Sequence, residues 1–240
     1  EDYELIDEKL LQQMSIEVIF VCKDNAKGIT FKNHVLVSSF EYKALYSLCE
    51  LIRPDYIACF SEGLFVDIAM IREKLGIKGM DLSSAKMLSH KNLMYEKLDG
   101  SFPYPKTTKI QSTSNFDSLK NELESNELFV KPINREGSYE TYHIKNDLEY
   151  QKFLLNKKEN LEEYIAQAYI DAELYHSEIV IFKGKIIFSS ARKYSFPNHL
   201  MVSKNIPIFS LNITDSHKYK ALVDASIKVT RLLGINNGIL

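Results

Sequence analysis

Glycine and proline are scarce: 9 Gly and 6 Pro in 240 residues are too few for a collagen-like repeat, a low-complexity linker or a disordered tail. Charge of one sign is lacking too. The 30 Lys and Arg against 32 Asp and Glu leave a formal charge of -2, so no overall field draws the chain onto nucleic acid or an anionic membrane, though a local basic cleft is compatible with this balance. No apolar run approaches the roughly 18 residues that a membrane-spanning helix needs. The opening Glu1-Asp2-Tyr3-Glu4 has the opposite charge to the first region of a signal peptide. Together these absences predict a cytoplasmic protein with neither nucleic acid nor membrane as a partner. The three cysteines, Cys22, Cys49 and Cys59, lie in apolar neighbourhoods without CxxC or CxxH spacing and read as small buried thiols rather than metal ligands or a disulfide.

What is present suits a real core. The chain is 45% hydrophobic, and area scaling allows about 70% of its surface to be buried on folding. The first third alternates apolar runs of strand length with helical spacing. Ile16 to Cys22, His34 to Val37 and Asp55 to Phe60 read as strands; Glu41 to Ile52 and Leu64 to Leu75 read as helices. Such alternation predicts a parallel sheet covered by helices. After Gly79 the pattern changes: short helices over Ser83 to Ser89 and Lys91 to Leu98, then the breaker Gly100 to Pro105. Strand, helix, strand, strand and helix follow over Lys106 to Leu155, then mostly extended chain from Glu163. The turn Lys183-Gly184-Lys185 between two apolar runs predicts an antiparallel hairpin. A helix from Ser216 to Leu233 ends at Gly234.

Signatures of hydrolases, zinc proteases, calcium loops and dinucleotide folds are missing: no GxSxG, HExxH, EF-hand loop or GxGxxG. The stretch Gly100 to Thr107 lacks a second glycine and holds two prolines, which remove N–H donors that a phosphate cradle needs. Two lysines are better placed. Lys91 begins a helix, where first-turn N–H groups favour an anion. Lys131 ends the strand Leu128 to Lys131 before Pro132, and period-2 alternation puts it on the face of Phe129, a cation beside a ring. Singly, each could equally be a solvated surface lysine. Arg192 could hold a substrate carboxylate through its two-pronged guanidinium, or form an edge ion pair; alternation puts it with Ile186, Phe188 and Tyr194, and Lys193 opposite.

In order along the chain, Ser61-Glu62, Leu75-Gly76-Ile77-Lys78-Gly79-Met80, His90-Lys91-Asn92-Leu93-Met94, Phe129-Val130-Lys131-Pro132 with Gly137-Ser138, and Gln167-Ala168-Tyr169-Ile170 resemble the motif series of ATP-grasp carboxylate-amine ligases. The likeness is to amino acid ligases and the carbamoyl phosphate synthetase and biotin carboxylase branch. The resemblance implies an α/β parallel-sheet domain at residues 1–79, a small lid subdomain with linking helices at 80–170, and the start of a second ATP-grasp subdomain at 171–240, truncated at both ends. It also implies ATP and Mg²⁺ as cofactors and small carboxylate and amine substrates, and it leaves room for a homodimer. Lys91 and Lys131 would contact the phosphates. Phe129 and Lys131 would lie near the adenine, Arg135-Glu136-Gly137-Ser138 would be the lid, and the backbone of Gln167, Ala168, Tyr169 and Ile170 would read the adenine edge. Glu173 and Glu178 are equal candidates for the acidic residue near the ribose. Two departures are visible: Gln167 stands where the family usually has Glu, and Tyr139-Glu140-Thr141 follow the Gly-Ser pair where a further glycine is common. The metal carboxylates of the family have no counterpart after Asp224, so a nucleotide-binding module without turnover is the alternative reading, and an interaction scaffold a third.

Overall fold

A computed structural model describes residues 7–23, 33–135 and 137–239, with the side chains of residues 8 and 201–203 left aside. The chain forms two compact units, Glu1–Pro54 and Asp55–Leu240.

In the first unit, α1 (Glu8–Gln13) is capped by the Asp7 carboxylate, which accepts from Leu10 N–H at 3.1 Å. Strands β1 (Phe20–Lys23) and β2 (His34–Val37) pair in parallel, Phe20 opposite His34. The helix α2 (Tyr42–Ile52) follows, with Leu45 buried. It ends at Arg53, whose φ of 51° leaves the helical region that a residue before proline avoids.

The second unit opens differently from expectation. Residues 55–60 form no strand; only Tyr56 bridges to Lys78, in parallel. A ladder needs a neighbour along its length, and here one residue supplies it. Helix α3 (Phe65–Leu75) buries Ile68, Ala69, Ile71 and Arg72. The Arg72 guanidinium donates to Ile57 O at 2.6 Å and to Met80 O at 3.4 Å, and burial pushes its pKa down. Gly79 lies against it at φ +154°, where a Cβ would meet Arg72 Nε at 2.7 Å. We expect Gly79→Ala to cost about 1–3 kcal/mol by overpacking and backbone strain, measured by denaturant melting; an unchanged midpoint would show that Arg72 yields freely.

Helices α4 (Leu82–Ser89) and α5 (Lys91–Leu98) meet at His90. Next come β3 (Thr107–Lys109), α6 (Phe116–Leu123), β4 (Leu128–Pro132), β5 (Tyr142–Ile144), α7 (Asp147–Lys157) and β6 (Tyr164–Ala168). The strands form an antiparallel sheet in the order β3-β6-β4-β5. Alternation along β4 sets its two faces: Leu128 and Val130 are fully buried, while Phe129 and Lys131 are half-buried. The buried face packs on α6 and α7 through Phe116, Leu119, Leu123, Tyr150 and Phe153. Asn115 starts α6 with a reciprocal cap, its side chain accepting from Ser118 N–H while Ser118 Oγ accepts from Asn115 N–H.

The last sheet, antiparallel, runs β10-β7-β8-β9, with β7 (Tyr175–Phe182), β8 (Lys185–Tyr194), β9 (Ser210–Asn212) and β10 (Gly238–Ile239); α8 (Asn198–Lys204) and α9 (Ser216–Leu232) complete the unit. Ile179 and Ile181 pack with Leu98, Leu233 and Ile235. The hairpin at Lys183-Gly184 is as expected. A bulge between Val180 and Ile181 pairs Ile181 with Ile186 and Val180 with Phe188. It turns Ile186 into the core cluster, away from Arg192, contrary to the strict alternation read from the sequence. None of the three cysteines is in a disulfide, and each is half-buried rather than fully buried. Among the described residues no helix is long and apolar enough to cross a membrane.

Candidate functional site

The open face of the sheet β3-β6-β4-β5 carries a row read straight across the register: Thr107, Gln167, Phe129 and His143. Tyr169, just past β6, stacks on His143 at 3.7 Å and 14° and lies 6.3 Å from Phe129. His143 is fixed from behind by the Glu127 carboxylate at 2.5 Å. His199 of α8 meets Phe129 edge-on at 5.3 Å. Burial, with His143 and then Lys204 nearby, lowers the His199 pKa. Burial likewise raises that of Tyr169, helped by Asp171 and Glu127.

Two residues further along β4, Lys131 donates to Tyr95 Oη at 2.9 Å and sits 5.4 Å from the centre of its ring. Tyr95 is on α5, one turn after Lys91, so the two project from the same side of that helix. The Lys91 ammonium donates to Arg135 O at 2.5 Å, and its N–H donates to Ile133 O at 3.1 Å. Both lysines are therefore gathered where α5 meets the end of β4, beside residues 133–135. Tyr95 in turn stacks on Tyr104 at 5.0 Å, whose hydroxyl donates to Asp99 at 3.1 Å. The sequence reading missed Tyr95, Tyr104, His143 and Glu127. The only available signal was the spacing of Tyr95 from Lys91, which means little until β4 is in place. Pro132 does not stop the ladder as expected; it pairs opposite Tyr164.

Of the lid residues, Glu136 lies outside those described. Gly137 and Ser138 both take positive φ, 68° and 57°, and the Arg135 guanidinium sits 5.6 Å from the Tyr139 ring centre. Glu140 closes this turn. Its carboxylate accepts from Lys157 of α7 and, at 2.6 Å, from the Tyr164 hydroxyl. The Lys157 and Tyr164 hydrogen bonds pull its pKa below the ordinary value of 4.5, while burial and then Glu140 push Tyr164 up to about 12. A carboxylate depressed on folding stabilises above its unfolded value and loses that contribution as pH falls through the folded one. We therefore expect wild type to melt above Glu140→Gln at pH 6, and the gap to close below pH 4.5; a gap independent of pH would show that the ion pair contributes nothing.

Of the residues expected to form the hinge, Gln167 is 3% exposed and its amide donates to Thr107 Oγ1. The N–H groups of Ala168 and Tyr169 are already donated, to Lys106 O at 3.0 Å and Glu127 O at 3.1 Å, so they hold the sheet together. Ile170 is the exposed member, at 59%.

On the second sheet, Arg192 is exposed and opposite His176 and Asn212, and Glu178 is opposite Ser190, to which it is hydrogen-bonded at 3.1 Å. Alternation puts both on one face. Glu173 is elsewhere: Lys193 and Tyr175 donate to it, and Lys218 of α9 is 3.9 Å away. The two acidic candidates thus part company, Glu173 in an ion-pair network with α9 and Glu178 beside Arg192. Among the described residues no three His, Cys, Asp or Glu side chains gather as metal ligands.

No family model matches the sequence, and no curated protein does. Solved structures do match in fold. An L-amino acid ligase from Bacillus licheniformis superposes with a TM-score of 0.71 at 15% identity, over 96% of this chain and 57% of that one. An N5-carboxyaminoimidazole synthase from Aspergillus clavatus, solved with ADP, gives 0.71 at 13%, over 96% and 60%. A D-alanine–D-alanine ligase from Bacillus anthracis, complexed with ATP, gives 0.63 at 17%, over 91% and 78%. The chain shares the fold of these ligases and this synthase. The chain spans less than two thirds of the length of the first two.

Proposed function

We propose that this chain is the nucleotide-binding part of an ATP-dependent ligase that joins a small carboxylate, such as an amino acid, to an amine through an acyl phosphate. The observation that carries the reading is the gathering of Lys91 and Lys131, 40 positions apart in the sequence, at one junction beside an open aromatic sheet face. Phosphoryl transfer asks the protein mainly for positioning and charge neutralisation. In this reading the two ammonium groups exchange Arg135 O and Tyr95 Oη for phosphate oxygens. Phe129 and Tyr169 flank the base, and Gly137-Ser138 fold over the phosphates. The hinge role falls on Ile170, since the N–H groups of Ala168 and Tyr169 are engaged. Arg192 and Glu178 share a face suited to a charged substrate or to the ribose. Magnesium finds no fitting ligand set among the described residues, so no step is routed through it.

The test is calorimetric titration of the chain with a non-hydrolysable ATP analogue, followed by ADP release in the presence of carboxylate and amine panels. Saturable binding is expected; its absence would sink the nucleotide reading, and binding without ADP release from the complete protein would sink the ligase reading.

A further inference from the structure

Thr107 Oγ1 sits between two partners. It lies 2.8 Å from Pro105 O and 2.7 Å from the side-chain nitrogen of Gln167. A hydroxyl has one proton, and a peptide carbonyl oxygen only accepts. With its proton on Pro105 O, the hydroxyl can only accept on its other side. Only the NH₂ end of the Gln167 amide satisfies it. Turning the amide over would bring Oε1 to the hydroxyl, which can donate to it only by leaving Pro105 O, so the turned arrangement loses one of the two hydrogen bonds around a residue that is 3% exposed. The Gln167 oxygen is therefore turned away from β3.

We propose that Thr107 is a positioning residue that locks Gln167 as a hydrogen-bond acceptor, so that the site takes a purine with an amino group at C6 and rejects one with a carbonyl there. This rests on the nucleotide reading above, in which the base lies on the face that Gln167 shares with Phe129. A free side-chain amide can meet either group by flipping; this one flips only at the cost of a hydrogen bond. A carboxylate at position 167 would need no such lock, because both its oxygens accept. The amide in this sequence needs one, and the Thr107 hydroxyl supplies it.

The experiment compares equilibrium affinities of the whole chain for ATP, purine riboside triphosphate and inosine triphosphate. Wild type should bind ATP tightest, the analogue without a C6 substituent less tightly, and inosine triphosphate weaker than ATP by on the order of tenfold or more. Inosine triphosphate binding as tightly as ATP would mean that the amide turns freely, and would overturn the proposal with no variant needed. Thr107→Val, isosteric and without the hydroxyl, should narrow the preference to within about threefold, and Thr107→Ser should restore it. A Thr107→Val chain that keeps the wild-type ratio overturns the lock while leaving the nucleotide reading standing; wild type that binds no nucleotide overturns both.

Discussion

On the proposed nucleotide reading, Lys131→Ala should lower nucleotide affinity in this chain, and kcat/KM for ATP in the full-length protein, on the order of 10²-fold, about 2.7 kcal/mol; Lys91→Ala should do the same. The size follows from removing one charge-assisted contact to a phosphate whose negative charge shifts during transfer. Neither lysine belongs to a hydrophobic core cluster: Lys131 is half-buried on the open sheet face, against Tyr95, and Lys91 opens α5. The variants should therefore melt close to wild type, which separates lost binding from lost folding. Lys131→Arg should recover only part of the affinity, because the fork geometry of a guanidinium differs from a point ammonium. A Lys131→Ala chain with wild-type nucleotide affinity and turnover would remove the assignment.

Phe153→Ala should be the most damaging substitution for stability, at about 3–5 kcal/mol. Phe153 is 2% exposed and meets Tyr142 and Tyr164 edge-on at 5.2 and 5.3 Å, and Tyr150 at 6.1 Å. Removing it opens a cavity bounded by three rings, which cannot collapse without moving α7 from the sheet. Tyr164 also holds Glu140, so the turn 137–140 should exchange its amide protons faster in the same variant. Phe153→Leu keeps most of the volume and should cost below about 1.5 kcal/mol. Denaturant melts decide: a loss under 1 kcal/mol for the alanine variant would mean that the cluster repacks.

Much of the architecture was legible because the cues were local. The Lys183-Gly184 turn announces its hairpin, and Gly234, at φ 74°, closes the helix read over Ser216 to Leu233. Segments whose form depends on a distant partner were not legible. Residues 55–60 have the composition of a strand but gain only one bridging neighbour. The three-residue β9 is exposed throughout, with no apolar period to read, and α8 falls within the chain after Glu163 that reads as mostly extended. The site divides the same way. Lys91 and Lys131 stand out by position within their own elements, whereas the row Thr107, Gln167, Phe129, His143 exists only once four strands are in register. Tyr95 gains meaning only from the lysine that β4 delivers to it.

The tip of the β7–β8 hairpin is tied down from far along the chain. Gly184 N–H donates to Asn236 O at 2.8 Å, Lys183 N–H donates to the Asn237 side chain at 2.9 Å, and β10 pairs along β7. An expression fragment cut at Gly234 would strip that border, leaving β7 with a raw row of amides and carbonyls open to a second molecule. Such a fragment should form soluble dimers or precipitate, while one ending a few residues later stays monodisperse. Fragment design for this protein therefore turns on its Asn-Asn-Gly stretch.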